Sequence, residues 1–230
     1  MPAMGNPRLH DVLADVEPGT VVVFDLDATL LWSGPRHLKI AQDFGAFRAG
    51  AARAVANLSA EDFGYEADAA LRAAGLKDKR LLREFKAFWG QKYFTSKYCL
   101  LDLPQPGAVD FVHAVEERGA RVVYLTGRDE PKMGEGTRRS LAQHAFPLGR
   151  RTTLLLKPRP RMGDTEWKQE ALPQVEALGR VVATFENEPR NANLFARRFP
   201  EATNVLMETV CSPGAEAALP QLVRTADFVI

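Results

Sequence analysis

Residues Thr20–Leu30 read TVVVFDLDATL. The first five positions are apolar or β-branched, which is typical of a parallel strand covered by helices on both faces. Two carboxylates, Asp25 and Asp27, follow this strand directly. Carboxylates in such a place are costly unless they are paired or hold a metal ion. The stretch therefore predicts a polar site at the end of a buried strand.

Further apolar runs alternate with helical patterns along the chain. The predicted strands are 20–24, 122–125, 153–156, 181–185, 203–207 and, more weakly, 227–230. The predicted helices of this part are 108–118, 136–144, 166–178 and 190–198. Regular alternation of strands and helices predicts an α/β fold with a Rossmann-like parallel sheet flanked by helices.

Residues 31–103 interrupt this alternation. They contain no convincing strand and favour helices at 37–58, 65–74 and 78–89. We predict a core domain formed by residues 1–30 and 104–230, and an all-helical insert at 31–103. The aromatic side chains of the insert are expected mainly in its own core, with Trp32 as an exception because it follows Asp25 and Asp27 closely. The others are Phe44, Phe47, Phe85, Phe88 and Trp89.

The composition is that of a globular protein. Of 230 residues, 46% are hydrophobic and 26% charged, and 30 Lys+Arg against 29 Asp+Glu give a net charge of +1, which indicates no particular partner. Basic residues are concentrated in 121–168, which we interpret mainly as an uneven solvated surface, with attraction of an anionic substrate as the alternative.

Cysteine usage and the N-terminus bear on the cellular compartment. Cys99 and Cys211 suggest neither a disulfide framework nor a zinc site. Residues 1–16 lack the apolar run of a secretory signal, and no stretch reaches the length of a membrane span. The expectation is a soluble, cytoplasmic protein without a membrane partner; its oligomeric state is left open.

Polar residues follow the other predicted strands as well. The second strand ends in Thr126-Gly127-Arg128, and the fourth ends in residues 185–191, which read FENEPRN. Lys157 closes the third strand, and Lys168 opens the helix after it. In an open parallel sheet, ligands bind beyond the carboxyl ends of the strands. These residues are therefore expected at one edge of the sheet.

The order of these residues resembles the haloacid dehalogenase (HAD) superfamily, whose phosphatases open with an Asp-x-Asp-x-Thr signature. Asp25, Asp27 and Thr29 match it. The resemblance implies a HAD core with a helical C1-type cap at 31–103. It also implies that Asp25 is the nucleophile that forms an aspartyl-phosphate, and that Asp27 is the general acid and then the base.

The resemblance extends to the later motifs. It implies that Thr126 and Gly127 bind the phosphoryl oxygens. A lysine should neutralise the nucleophile and the phosphate, and Lys168 is favoured over Lys157 because the family places this lysine at a helix start. The further substrate-binding candidates are Thr29, Arg128, Lys157 and Trp32.

The resemblance further implies a Mg²⁺ ion. Its ligands would be Asp25, Asp27 and Glu186, with Asn187 or Glu188 helping directly or through water. The family usually has aspartates where Glu186 and Asn187 stand, so this chain departs from the pattern there. Mg²⁺ prefers oxygen ligands, keeps several waters and tolerates glutamate.

The predicted function is a Mg²⁺-dependent phosphomonoesterase that acts on a small phosphorylated metabolite or nucleotide. One alternative is a polynucleotide-end phosphatase, suggested by the basic stretch 150–161. The other alternative is a catalytically silent HAD scaffold that binds a partner, which the departures at Glu186 and Asn187 permit. The presence of both Asp25 and Asp27 counts against the scaffold.

Overall fold

The computed structural model describes residues 7–230, so the first part of the N-terminal expectation lies outside the described residues. The helices are α1 Pro7–Ala14, α2 Gly34–Phe47, α3 Ala49–Val55, α4 Ala67–Ala73, α5 Lys79–Tyr93, α6 Ser96–Cys99, α7 Ala108–Glu117, α8 Glu130–Gln143, α9 Asp164–Glu176 and α10 Pro189–Arg198, with a 3₁₀ turn at Ala60–Asp62. The strands are β1 Thr20–Phe24, β2 Leu31–Trp32, β3 Leu103–Pro104, β4 Arg121–Asp129, β5 Thr152–Lys157, β6 Arg180–Glu186, β7 Thr203–Met207 and β8 Val223–Thr225. Within residues 7–230, no helix combines the length and apolar character needed to cross a bilayer.

Six parallel strands form the main sheet in the order β5-β4-β1-β6-β7-β8. Strand β1 lies at the centre, with Phe24 opposite Tyr124 of β4 and Phe185 of β6. The chain builds the sheet outward on one side of β1 through β4 and β5, and then on the other side from β6 onward. The predicted α/β class with a parallel sheet is confirmed, and the carboxyl ends of β1, β4 and β6 are adjacent.

The two faces of β1 are buried in different clusters. Val22 and Phe24 pack on one face with the rings of Phe111 and Phe185. Val21 and Val23 pack on the other face with residues of α9 and α10. Successive side chains of a strand point to opposite faces, so an all-apolar strand is what a sheet covered on both sides requires.

The helices between Gly34 and Cys99, here called the helical segment, have a hydrophobic cluster of their own. Its buried members include Ile40, Phe44 and Phe85. The chain enters and leaves this segment through β2 and β3, which pair antiparallel. These two short strands were not predicted. The predicted helix 37–58 is in fact α2 and α3, which are separated at Arg48 by extended backbone.

Two further boundaries differ from the sequence expectation. The last strand is β8, parallel to β7, and not 227–230. The apolar signal at Phe228 comes from core packing, since its ring is fully buried and its N–H donates to the Pro106 carbonyl at 2.9 Å. Helix α8 begins at Glu130 and not at Gly136. Gly136 lies inside the helix, at the point where Ser96 approaches it closely.

A glycine-to-alanine pair should report the contact between the helical segment and the core. A Cβ at Gly136 would lie 2.2 Å from the Ser96 carbonyl oxygen, whereas one at Gly90 in α5 would meet nothing within 4 Å. We expect Gly136→Ala to lower the free energy of unfolding by about 1–3 kcal/mol through overpacking. Gly90→Ala should raise it by roughly 0.5–1 kcal/mol through helix propensity. Urea denaturation measures both, and equal effects would contradict the close approach.

Candidate active site

A cavity of about 1110 Å³ lies at the carboxyl ends of β1, β4 and β6, beneath the helical segment. Most of the predicted site residues line it: Asp25, Asp27, Trp32, Thr126, Gly127, Arg128, Lys168, Glu186 and Asn187. Thr29 and Lys157 are not among its lining residues. The structure thus gathers residues from four separate motifs around one space.

The carboxylate of Asp25 lies where β1 ends. Lys168, in the second turn of α9, donates from Nζ to Asp25 Oδ1 at 2.7 Å. The same Nζ pairs with Glu186 Oε2 at the end of β6. All three side chains are buried. They therefore form one ionic group at the base of the cavity, named here the Asp25 group.

The charges of the Asp25 group do not balance. Two carboxylates share one ammonium, which leaves one negative charge in excess when both acids are ionised. Burial raises the pKa of Asp25 to about 7, and the nearby Glu186 adds to the rise while Lys168 opposes it. Burial alone would lower the pKa of Lys168, but Asp25 and Glu186 outweigh it and raise that pKa. The lysine is therefore charged, and an additional cation would be favourable here.

The oxygen donors of the Asp25 group fit a hard divalent cation in type and charge. Asp25 and Glu186 offer carboxylate oxygens at a place with one excess negative charge. Glu186 Oε1, however, already accepts hydrogen bonds from the N–H groups of Asn187 and Glu188. Residues 7–230 contain no set of three His, Cys, Asp or Glu side chains grouped as metal ligands. An ion bound here would thus need backbone carbonyls and water to complete its shell.

The other predicted metal ligands are engaged elsewhere. The Asn187 amide accepts from Thr29 Oγ1 at 3.1 Å and donates to the Val210 carbonyl at 2.6 Å. Glu188 accepts from the backbone and hydroxyl of Ser212 at 3.0 and 2.8 Å. These contacts fix the loop after β6. They also correct the prediction that Thr29 contacts substrate, because its fully buried hydroxyl holds Asn187.

Two arginines hold the carboxylate of Asp27. Arg128 donates from Nε and Nη2, both at 2.7 Å, and Arg36 donates from Nη2 at 3.0 Å. Burial alone would raise the pKa of Asp27, but Arg128 and Arg36 hold it well below its ordinary value. In this arrangement Asp27 is ionised, and its side chain is directed to the arginines and not to a metal.

Asp102 completes this second ionic group, here called the arginine clamp. Arg36 Nε donates to Asp102 Oδ1 at 2.7 Å, and Arg128 Nη2 donates to Asp102 Oδ2 at 2.6 Å. Asp102 and Arg36 are fully buried. Two arginines and the two carboxylates of Asp27 and Asp102 balance in charge. The clamp joins β4, the start of α2 and the residue before β3, so it ties the helical segment to the loop after β1.

Sequence reasoning missed Arg36 and Asp102. A signal for Asp102 existed, because it stands in the apolar run CLLDLP at residues 99–104. A carboxylate inside such a run needs a buried partner. Arg36 offered no comparable signal, since an arginine near the start of a helix is ordinarily solvated.

The arginine clamp predicts a large stability effect at Asp102. Asp102→Asn would leave two buried guanidinium groups with one carboxylate, and we expect the free energy of unfolding to fall by about 3–5 kcal/mol. Glu130→Gln is the control, because the pair of Glu130 with Arg138 is about half exposed and should cost no more than ~1 kcal/mol. Urea denaturation of both variants measures this. A loss at Asp102 no larger than the control would mean that the clamp does not hold in solution.

Residues Thr126 and Gly127 border the cavity at the end of β4. The Thr126 hydroxyl accepts from the Arg128 N–H at 3.2 Å, and its carbonyl accepts from Trp167 Nε1 at 3.0 Å. A Cβ at Gly127 would lie 2.5 Å from Asp164 Oδ2, so the side chain of Asp164, at the start of α9, approaches this turn closely. Lys157 pairs with that same Asp164 at 2.6 Å. Of the two candidate lysines, only Lys168 contacts Asp25.

Aromatic side chains of the helical segment and β2 line the outer part of the cavity. They are Trp32, Phe63, Tyr65, Phe85, Trp89, Tyr93 and Phe94. Of the aromatics singled out in the sequence, Phe44 and Phe88 pack inside the helical segment instead, and Phe47 is 68% exposed outside the cavity. The expectation of a pocket position holds for Trp32, whereas Phe85 and Trp89 contribute both to the core and to the cavity wall.

The arginines of the basic stretch 150–161 are not part of the cavity wall. Arg150, Arg151, Arg159 and Arg161 are exposed. None of them is among the residues that line the cavity. These four arginines thus belong to a solvated surface, whereas Arg128 and Lys168 of the wider basic stretch 121–168 are buried and line the cavity.

No known family model and no curated protein matches the sequence. Among solved structures, the chain is similar to a proposed phosphatase from Clostridium difficile, with 13% identity, 91% of this chain and 94% of that one covered, and a TM-score of 0.57. A proposed HAD-like hydrolase from Burkholderia xenovorans matches with 18% identity, coverage of 92% and 94%, and a TM-score of 0.55. The chain also spans 44% of a chain of the Pnkp1/Rnl/Hen1 RNA repair complex, at 15% identity over 92% of this chain, but a TM-score of 0.46 supports no argument. The chain has the fold of the HAD superfamily, as the sequence resemblance predicted.

Proposed function

We propose that this protein is a phosphomonoesterase in which Asp25 is the nucleophile and Mg²⁺ the cofactor. The observation that carries the proposal is the Asp25 group: a buried carboxylate at the end of the central strand, 2.7 Å from the ammonium of Lys168, at the base of a large cavity. A carboxylate beside a fixed cation, with Thr126 close by, is suited to receive a phosphoryl group.

The proposed reaction has two displacements. An Asp25 oxygen attacks phosphorus, the bond from phosphorus to the ester oxygen breaks, and the leaving oxygen takes a proton. Water then attacks the phosphorus of the aspartyl-phosphate, releases inorganic phosphate and regenerates Asp25. Lys168 neutralises charge on Asp25 and on the phosphoryl oxygens, and Thr126 offers its hydroxyl and Gly127 its N–H to those oxygens. Mg²⁺ held by Asp25 and Glu186 would supply further charge neutralisation.

Asp27 is the proposed proton carrier, and the arginine clamp sets its protonation state. As an ionised carboxylate, it is in the state that accepts a proton from water in the second displacement, although the same arginines make it a weaker base. To protonate a leaving alkoxide it must first gain a proton, which Arg36 and Arg128 oppose. Esters whose leaving groups have low pKa values need no such proton and are expected to turn over fastest.

The helical segment is proposed as a C1-type cap, with residues 1–30 and 104–230 as the core domain and 31–103 as the cap. The cap's own hydrophobic cluster and its entry through β2 and β3 support this division. Because aromatic side chains of the segment line the outer cavity, the cap is positioned to select the organic part of the substrate.

A panel of phosphomonoesters tests the proposal. We expect phosphate release in the presence of Mg²⁺, highest for aryl esters and lost when EDTA is added. The variant Asp102→Asn leaves both arginines to Asp27, so it should sharpen the preference for aryl esters if the clamp is what keeps Asp27 ionised. Absence of turnover on every ester with Mg²⁺ would contradict the phosphatase and favour the silent scaffold.

The polynucleotide-end phosphatase is less well supported by the structure. Its sequence argument was the basic stretch 150–161, and the arginines of that stretch do not line the cavity. We therefore keep the phosphorylated end of a nucleic-acid strand only as one kind of nucleoside phosphate among the candidate substrates.

A further inference from the structure

We infer that the natural substrate is a nucleoside phosphate whose nucleobase stacks on the aromatic wall of the cavity. This inference rests on the proposed function and names the substrate class of the same site. The aromatic wall is formed by Trp32, Phe63, Tyr65, Trp89, Tyr93 and Phe94. Base–aromatic stacking is worth about 1–3 kcal/mol per base and tolerates any base.

The wall begins at the arginine clamp, next to the proposed reaction centre. Arg36 Cζ lies 4.4 Å from the ring centroid of Tyr93. Tyr93 stacks on Trp89 at 4.5 Å, and Trp89 stacks on His37 at 5.6 Å with 15° between their planes. Phe63 continues the column beyond His37. The rings of this column cover one another's faces, so a planar ligand with its phosphate at Asp25 would stack on the rings beside the column that stay exposed, Tyr65 and Phe94.

Parts of this wall are open to a ligand. Tyr65 is 56% exposed and Phe94 is 45% exposed, and both line the cavity. Phe94 packs edge-on against Trp89 and Tyr93, at 78° and 79°. Large rings left this exposed inside a cavity have not been covered by the fold itself, which is what a stacking surface for a planar ligand requires.

A glycine within α5 keeps the space before the wall clear. Gly90 lies between Trp89 and Tyr93 in the sequence and lines the cavity. A Cβ placed on it would meet nothing within 4 Å. Glycine inside a helix costs roughly 0.5–1 kcal/mol relative to alanine, and no packing contact accounts for it here.

Polar groups among the rings favour a nitrogen-containing ring over a plain phenyl group. His37 Nδ1 accepts from Trp89 Nε1 at 3.0 Å, which assigns the histidine proton to Nε2; this donor has no hydrogen-bond partner within residues 7–230. Asp68 Oδ1 lies 3.3 Å from Lys86 Nζ but accepts no hydrogen bond from the described residues. Asp68 is buried and paired with Arg72 and Lys86, so His37 is the donor that this part of the cavity wall offers, and the edge of a nucleobase carries matching acceptors.

The size of the cavity agrees with such a ligand. About 1110 Å³ is at or above the upper end of roughly 300–1,000 Å³ for sites that enclose small molecules. A free phosphate or a triose phosphate would leave most of this space, and all of the aromatic wall, without contact. A nucleoside phosphate spans from Asp25 to the rings.

The test compares three substrates that share a phosphate ester. They are adenosine 5′-monophosphate, ribose 5-phosphate, which lacks the base, and a short oligoadenylate with a 5′-phosphate. We expect kcat/KM for adenosine monophosphate to exceed that for ribose 5-phosphate at least about tenfold. In the double variant Tyr65→Ala/Phe94→Ala this difference should shrink to about threefold or less, because kcat/KM for adenosine monophosphate falls more than kcat/KM for ribose 5-phosphate.

Phe47→Ala is the matched control, because Phe47 is an exposed ring of the same helical segment outside the cavity. It should leave all three values as in wild type. Where adenosine monophosphate is preferred over ribose 5-phosphate, faster turnover of the monophosphate than of the oligoadenylate identifies a free nucleotide as the source, and the reverse order identifies a strand end. Equal kcat/KM for adenosine monophosphate and ribose 5-phosphate would overturn the inference and leave the phosphatase intact.

If no ester is turned over, binding still tests the inference. Calorimetric titration of wild-type protein should then detect adenosine monophosphate but not ribose 5-phosphate, and the double variant should lose that difference. In this case the proposed catalysis falls and the nucleobase site stands. Equal binding, or no binding of either compound, would remove the nucleobase site as well.

Discussion

Replacing Asp25 with asparagine is expected to abolish phosphate release while the folded protein stays at least as stable as wild type. The amide cannot form an acyl phosphate, so turnover should fall by at least about 10³-fold. The substitution preserves shape, and it leaves Lys168 paired with Glu186 one to one. Loss of activity with retained stability separates a chemical role from a structural one.

The stability of this variant should depend on pH in a defined direction. The pKa of Asp25 is raised by burial from its ordinary value near 3.8 to about 7 in the folded protein. Between these two values the folded state binds more protons than the unfolded state, so stability falls as the pH rises. Above pH 7 wild type bears the whole cost of the ionised carboxylate, and Asp25→Asn removes it. We expect the variant to be more stable by about 1–3 kcal/mol at pH 8 and to gain little at pH 4.

Urea denaturation at pH 4 and pH 8, in EDTA so that bound metal does not mask the effect, measures this difference. Glu188→Gln is a suitable control, since Glu188 is a neighbouring carboxylate of the cavity that already accepts two hydrogen bonds from Ser212. A variant that retains turnover would end the proposed mechanism. A variant that unfolds more easily at pH 8 than wild type would show that Asp25 is well compensated in the fold.

Those parts of the site that lie at the ends of strands could be predicted from the sequence. An all-apolar β1 with two carboxylates directly after it is typical of a strand buried on both faces. The neighbouring strands β4 and β6 carry Thr126 and Glu186 towards their own ends, and Lys168 lies in the helix that follows β5. Strand register then brings these ends together. Parallel pairing is a local and repetitive constraint, which explains why the positions of β1, β4, β5, β6 and β7 could be read from the apolar pattern, whereas those of the two-residue strands β2 and β3 could not.

The arginine clamp could not be predicted in the same way. Its four members come from a helix start, two loops and β4, and their contacts depend on how the helical segment docks on the core. Such docking is set by side-chain packing, for example at Gly136 and Ser96, and not by the period of apolar residues. The prediction from the sequence therefore assigned a catalytic role to Asp27 but did not include Arg36, one of the arginines that keep it ionised.

The clamp and the Asp25 group differ in their net charge when all of their carboxylates are ionised. The clamp is neutral, and holds Asp27 in its ionised form. The Asp25 group is one positive charge short, so it favours a cation. An incoming phosphate dianion would compete with Asp27 for Arg128, which lines the cavity. The two groups are thus arranged so that a metal ion and a phosphate could each be attracted to a different part of one cavity.

Lys168→Met is expected to have the second large effect, and it affects both activity and stability. Without its ammonium, Asp25 and Glu186 are two buried carboxylates with no cation between them. We expect the free energy of unfolding to fall by about 3–5 kcal/mol near neutral pH, and less at pH 4, where the acids can take up protons. Turnover should fall about 10²–10³-fold, as when one charge-stabilising donor is removed from an active site.

Lys157→Met is the matched control, because it removes the competing lysine. Lys157 pairs with Asp164, whose side chain is 58% exposed, so its loss should cost no more than ~1 kcal/mol and change turnover little. The double variant Lys168→Met/Glu186→Gln leaves only one buried carboxylate, and should regain much of the stability but none of the activity. If Lys157→Met lost turnover and Lys168→Met kept it, the neutralising lysine would be the one at the end of β5, and the Asp25 group would be a structural ion cluster.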